Sequence, residues 1–151
     1  MGNTGNIPKE LNITVIHGPN LNMLGRREKS HYGDFSLADL EKYLIDDNTE
    51  VNLTFFQSNS EGELVSFIQN LKKQDGIVIN AGAYTHTSIA MRDSFLSVQI
   101  PFVEVHISNV YSREDFRKKS YLADIAVGVI SGLGKESYNL AIKYFISCKR
   151  P

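Results

Sequence analysis

Two arginines and a tyrosine stand between glycines in the stretch HGPNLNMLGRREKSHYG, residues 17–33. A plain surface loop has no need of Arg26, Arg27 and Tyr32 within one turn-prone segment that comes straight off an apolar run. A phenol is a poor base near neutrality unless its anion is stabilised, and an arginine, charged at any working pH, supplies that stabilisation. Gly25 and Gly33 give the residues between them the freedom to close over a ligand and shut out water. The alternative use of Tyr32 is as an amphipathic ring covering the loop. A second constellation is Glu104-Val105-His106. Two positions apart on a strand, Glu104 and His106 share a face, so the carboxylate can orient or charge the imidazole. Read the other way, the pair is a satisfied core histidine beside a solvated glutamate.

Other polar side chains fall at the ends of apolar runs. Asn20, Asn80, His86 and Ser108 suit a ligand rich in hydroxyls and carboxylate, and the amides of a helix starting after Ile107 would hold an anion. Asn and Ser also cap and turn, which is the reading preferred for Asn22 and Asn109. Arg113 and Arg117, four apart, lie on one face of a predicted helix and would clamp an oxyanion or a lid, while Lys118 and Lys119 read as a solvated face. Met23, Met91 and the phenylalanines read as core or filler.

These residues need a scaffold, and the chain alternates short β-rich runs with helical patterns. The predicted strands are NITVIH (12–17), VNLTFF (51–56), GIVIN (76–80), PFVEVH (101–106) and DIAVGVI (124–130). Helical patterns run from Ser36, from Ser60, from Thr85, through REDFRKK after Tyr111, and through GKESYNLAIKYFIS. Ser36 is a natural N-cap, and Ser60 with Glu63 fits a capping box. Strands apolar on both faces, alternating with helices, imply a parallel sheet covered on both sides: a five-stranded doubly wound α/β fold, a three-layer αβα sandwich. Ligands bind beyond the carboxyl ends of such strands, where His17, Asn80 and His106 stand.

Composition sets the outer limits. The 151 residues fit one domain, expected over 12–151 behind a flexible leader 1–11. With 16 basic and 17 acidic residues the net charge is -1, too mild to point to nucleic acid or an anionic membrane. No apolar stretch reaches a membrane span and the opening residues lack a signal-peptide core, so a cytoplasmic protein is expected. The one cysteine, Cys148, excludes an internal disulfide and reads as a spare core thiol. The fingerprints GxGxxG and GxxxxGK[ST] are missing, a flavodoxin's phosphate loop has no counterpart after the first strand, and Asn80 stands where a phospho-acceptor receiver needs aspartate. The histidines His17, His31, His86 and His106 show no metal-ligand spacing.

The motifs GPNLNMLGRREKSHYG, QSNSEGELV, INAGAYTHTSIAMRDS, PFVEVHISNVYSREDFRKKSY and GVISGLG, in this order over residues 12–147, strongly resemble the type II 3-dehydroquinate dehydratases. The resemblance implies a flavodoxin-like fold. It also implies a metal-free and cofactor-free anti elimination of water from 3-dehydroquinate, and a homo-dodecamer built as a tetramer of trimers. By position, Tyr32 resembles the family's base for the C2 proton, with Arg27 beside it in a mobile lid, and His106 the general acid, partnered by Glu104. Asn20 matches the residue that stabilises the enolate through an ordered water. Asn80, His86, Ile107, Ser108 and Arg117 match substrate contacts, Arg113 an arginine tied to the closed lid, and Asp93 a residue reaching a neighbouring subunit's site. The departures are the leader and lid details such as Lys29-Ser30-His31. The competing expectation is a silent α/β module that binds a small polyhydroxy acid.

Overall fold

The computed structural model describes residues 11–149. Among them, β1 (Leu11–His17), β2 (Val51–Gln57), β3 (Gly76–Asn80), β4 (Phe102–His106) and β5 (Gly128–Ser131) form one parallel sheet in the order β2-β1-β3-β4-β5. The helices are α1 (Lys29–Tyr32), α2 (Leu37–Asp47), α3 (Glu61–Gln69), α4 (Ile89–Val98) and α5 (Glu136–Lys149). This is the expected doubly wound sandwich, and its strand order is the flavodoxin-like one.

The period-two alternation of the strands divides the core into two layers. Ile13, Val15, Val78 and Val105 face α2 and α5, where Leu40, Leu44, Tyr138 and Phe145 meet them. Ile16, Ile77 and Ile79 point the other way, against Leu64 and Ile68 of α3 and Met91 and Phe95 of α4. Each fully buried Leu or Ile contributes roughly 1.5–3 kcal/mol relative to exposure, so these two layers hold the sheet that carries the site.

Chain direction changes at β1 and β3. From β1 the chain runs outward to β2, and from β3 to β4 on the other side, leaving a crevice above the carboxyl ends of the two neighbouring strands. Gly18 makes the crevice possible. Its amide donates to the Asn80 carbonyl at 2.7 Å, and a Cβ there would lie 2.3 Å from the Ala81 carbonyl oxygen.

Several boundaries differ from the expected ones for local reasons. β1 takes in Leu11, buried in the core; the rest of the expected leader lies outside the described residues. The fifth strand begins at Gly128, not at Asp124. The preceding residues close a turn with Ile125 and Ala126 amides on the Leu122 carbonyl, and Arg92 binds the Asp124 carboxylate. The fourth helix begins at Ile89 under a Ser88 cap, and Thr85 sits in a 3₁₀ turn, Gly82–His86. REDFRKK yields only a 3₁₀ turn, Asp115–Arg117, because Arg113 is extended between it and the turn Val110–Ser112. Arg113 and Arg117 therefore do not share a helical face, nor does a full helix follow Ile107.

Ser36 caps α2 with a reciprocal box to Asp39. At α3 the box is half made: Ser60 Oγ accepts from the Glu63 amide at 3.2 Å, but the Glu63 carboxylate turns to the Ser58 hydroxyl, which also holds the Ser60 amide. Cys148 is exposed and not a core thiol; at that end of α5 it is Phe145 and Ile146 that face the core. Phe116 and Met23 are also exposed. No described helix is long and apolar enough to cross a membrane.

Candidate active site

A cavity opens in the crevice, and the strand ends supply its floor. Asn20 follows β1, Asn80 closes β3, His106 closes β4, and Ile107 and Ser108 come just after it; all line the cavity. His86 comes from the 3₁₀ turn after β3, and Arg113 and Arg117 from the segment after β4. The roof is the opening stretch of the sequence. Gly25 and Gly33, both at positive φ, bracket the segment that places Arg27 and Tyr32 against the cavity.

Tyr32 is buried, and its hydroxyl oxygen accepts from two guanidinium groups, Arg27 Nη2 at 3.0 Å and Arg113 Nη1 at 2.8 Å. The Arg27 guanidinium also lies over the phenol ring, with Cζ 3.9 Å from the centroid. Arg113 Nη1 is shared with the Ser108 hydroxyl at 3.2 Å, which ties the lid to the end of β4. Two guanidinium groups thus make charge-assisted hydrogen bonds to one phenol oxygen. Arg26, next in sequence to Arg27, is exposed and does not line the cavity.

Across the cavity, His106 Nε2 lies 2.8 Å from Glu104 Oε2, and both side chains are buried. A carboxylate only accepts, so the imidazole donates from Nε2 and Nδ1 remains for other partners. Glu104 stands behind His106 and does not line the cavity. The ring of His86 stacks on that of His106, centroids 6.2 Å apart and planes 18° apart. His86 Nδ1 donates to the Lys119 carbonyl at 2.7 Å. Burial pushes the His86 pKa below the usual imidazole range; the Lys119 carbonyl opposes this, while His106 and Arg117 add to it. His86 is thus a neutral ring whose free nitrogen, Nε2, accepts.

The floor is braced by residues that the sequence reading did not single out. Asn20, in the left-handed region at φ 69, donates its amide to Asn59 Oδ1 at 3.0 Å. Asn80 Oδ1 accepts from the Gly82 amide at 3.2 Å, and its Nδ2 donates to the Tyr138 hydroxyl at 2.9 Å. Tyr138, fully buried with its phenol pushed well above the ordinary value by desolvation, lies 3.1 Å from His17 Nδ1. With Asn80 donating to it, the phenol passes its own hydrogen to that nitrogen, so the amide of Asn80 cannot flip without breaking two bonds. Asn59 carried a signal inside QSNSEGELV; Tyr138 carried none, because a tyrosine in an amphipathic helix looks like core. Asp93 does not join the cavity: it lies exposed on α4. Asn109 caps the turn after it, its side chain accepting from the Tyr111 amide at 3.1 Å. Among the described residues no three His, Cys, Asp or Glu side chains converge as a metal cage.

A flavodoxin-like sheet with a cavity at its switch point, lined by a tyrosine, two histidines and three arginines, defines a small doubly wound α/β protein with a polar ligand site. The sequence profile described as "Dehydroquinase class II" matches residues 11–146. The 3-dehydroquinate dehydratase of Prochlorococcus marinus (strain NATL1A) is 54% identical over 140 residues, covering 91% of this chain and 97% of that protein. That of Fusobacterium nucleatum subsp. nucleatum is 54% identical over 142 residues, covering 90% and 97%. Among solved structures, the type II dehydroquinase from Butyrivibrio crossotus matches with a TM-score of 0.88 at 42% identity, covering 91% of this chain and 98% of that one. The chain belongs to the class II dehydroquinase family.

Proposed function

We propose that this protein is a hydro-lyase that removes water from 3-dehydroquinate by anti elimination through an enolate, giving 3-dehydroshikimate. The observation that carries the reading is the pairing across one cavity of a doubly guanidinium-bound Tyr32 with the carboxylate-held His106. Removing a proton beside a ketone calls for a base, a donor to the enolate oxygen and an acid for the leaving hydroxyl. Tyr32, as phenolate, takes the C2 proton while Arg27 and Arg113 hold its charge before the transfer. Asn20 serves the enolate oxygen through an ordered water. His106, held at Nε2 by Glu104, delivers a proton from Nδ1 to the departing C1 hydroxyl, which leaves as water; the Glu104 carboxylate compensates the ring's charge while it carries both protons. Asn80, His86 and Arg117 hold the ring substituents, and Ile107 and Ser108 receive the carboxylate. No metal or organic cofactor enters these steps. Mixing the protein with 3-dehydroquinate and following the absorbance of the conjugated enone product tests the reading; no enone at high protein concentration overturns it.

His86 gives this reading a pH dependence. Its lowered pKa keeps Nε2 an acceptor for a substrate hydroxyl down to a pH below the ordinary imidazole value of ~6.5. Protonation turns that acceptor into a donor. Calorimetric titration with a product analogue is expected to show affinity steady from neutrality downward and falling only below that value, and the acid limb is expected to vanish in His86→Ala.

The assembly belongs to the same proposal: a cytoplasmic dodecamer, a tetramer of trimers, in which Asp93 reaches a neighbour's site. Ile89, Asp93 and Leu96 lie one helical turn apart along the exposed face of α4, with Ile89 56% and Leu96 50% exposed, an apolar strip around a carboxylate. Active protein is expected to sediment as a large oligomer of trimers, and Asp93→Ala to lower activity; a fully active monomer overturns it.

A further inference from the structure

The proposed acid has a support outside the cavity. Glu104 accepts from His106 at Oε2, and its other oxygen, Oε1, lies 2.5 Å from the hydroxyl of Ser120. Ser120 belongs to the loop between the 3₁₀ turn Asp115–Arg117 and β5. Its Oγ also receives the amides of Leu122 and Ala123, each at 3.0 Å. A hydroxyl has one hydrogen and two lone pairs. With both lone pairs filled by backbone amides, the hydrogen has one direction left, toward Glu104.

We propose that Ser120 is a positioning residue for the dehydration, acting through Glu104 to hold His106 in the tautomer and orientation that leave Nδ1 toward the substrate; the inference rests on the functional reading above. Without Ser120 the Glu104 carboxylate has one oxygen unheld on a flexible three-bond stem, in a site where both Glu104 and His106 are almost wholly removed from water. A buried carboxylate oxygen that loses its donor turns to find another, and both the His106 Nε2 hydrogen that the carboxylate already holds and the amides of Leu122 and Ala123 then compete for it. Rotation of the carboxylate toward sharing that one N–H shifts the ring.

The neighbouring residue repeats the device. The Lys119 carbonyl accepts from His86 Nδ1 at 2.7 Å, so the pair Lys119-Ser120 governs both stacked imidazoles, one through its carbonyl and one through its hydroxyl. The loop is itself fixed. The Tyr121 amide donates to the Thr85 carbonyl at 2.9 Å, Arg92 Nη1 donates to the Tyr121 carbonyl at 2.9 Å, and Leu122 is fully buried in the core beneath α3 and α4.

The test compares Ser120→Ala, Ser120→Thr and Ser120→Cys with the unaltered protein, reading kcat and KM separately, thermal stability, and the ring-nitrogen chemical shifts of His106 by NMR. Loss of the hydrogen-bond partner that orients a metal-bound histidine typically costs ~10–100-fold, and Ser120 orients His106 by the same kind of chain. Ser120→Ala is expected to lose kcat in that range with KM within about threefold, and the Nε2 shift of its His106 ring to move as the hydrogen bond to Glu104 is disturbed. Ser120→Thr is expected to restore both. Ser120→Cys, close in volume but a weak donor, is expected to behave as Ser120→Ala and serves in its place if the alanine variant does not fold. A kcat within twofold of the unaltered protein, or an unchanged His106 spectrum in a folded variant, overturns the inference while leaving the dehydration reading intact. If the unaltered protein makes no enone, the functional reading falls, and the His106 spectra still decide whether Ser120 positions the ring.

Discussion

Replacing Tyr32 by Phe is expected to reduce kcat by roughly 10²–10⁴-fold, the range that a positioned general base contributes. The substitution removes one oxygen from a buried ring, so the lid keeps its apolar contacts and the stack beneath Arg27. It also leaves two guanidinium groups without their shared acceptor, and Arg113 Nε is already buried without a hydrogen-bond partner. Some stability is lost for that reason. Binding of a product analogue is expected to change little, because the phenol oxygen acts on a proton that moves only in the transition state. Steady-state kinetics beside calorimetric titration of the variant separates the two effects. A variant within tenfold of the unaltered protein in kcat would remove Tyr32 from the role of base.

The second large effect concerns the arginines, and here the structure changes the expectation. The sequence reading gave Arg27 the task of keeping the phenol ionised and Arg113 that of clamping an oxyanion or the lid. Both donate to the same oxygen, Arg113 at the shorter distance. Removal of one preorganised donor to a developing or resident anion costs ~10²–10³-fold. Arg27→Gln and Arg113→Gln are each expected to fall in that range. The two sites share one partner, so the double variant is expected to lose less than the product of the single losses. Arg26→Gln, on the exposed side of the lid, is expected to stay within a few-fold. The measurement is kcat for the four variants. An Arg113→Gln enzyme at full rate would leave Arg27 as the one donor that matters, and strictly multiplicative losses would mean that the two arginines do not act on a common charge.

The scaffold was legible because its causes are local or periodic. Runs such as GIVIN, apolar at every position, can only be buried on both faces, and helical patterns between them dictate right-handed crossovers and a parallel sheet. Ser36 announced the start of α2 because its partner Asp39 is three residues away. Where the reading failed, a contact outside the expected pattern was made instead: Glu63 left its capping box for Ser58, Arg92 holds Asp124 ahead of the fifth strand, and Arg113, extended where a helix was expected, bonds Tyr32.

The site divides in the same way. The sequence by itself determined the family, the fold class, and which side chains stand at the strand ends, because strand ends are set by the hydrophobic period and the motifs are contiguous. It also determined that Glu104 and His106 share a face, since a strand repeats every two residues. The tertiary structure alone decided that Arg113 meets Tyr32 across 81 positions, that Tyr138 pins Asn80 across 58, and that Ser120 reaches back 16 to Glu104. Each of these is a hydrogen bond between groups brought together only when the sheet is stacked and its loops are closed. No spacing along the chain encodes it: the direction of a donor is set by the packing of both partners, and periodicity reports only which face each one is on.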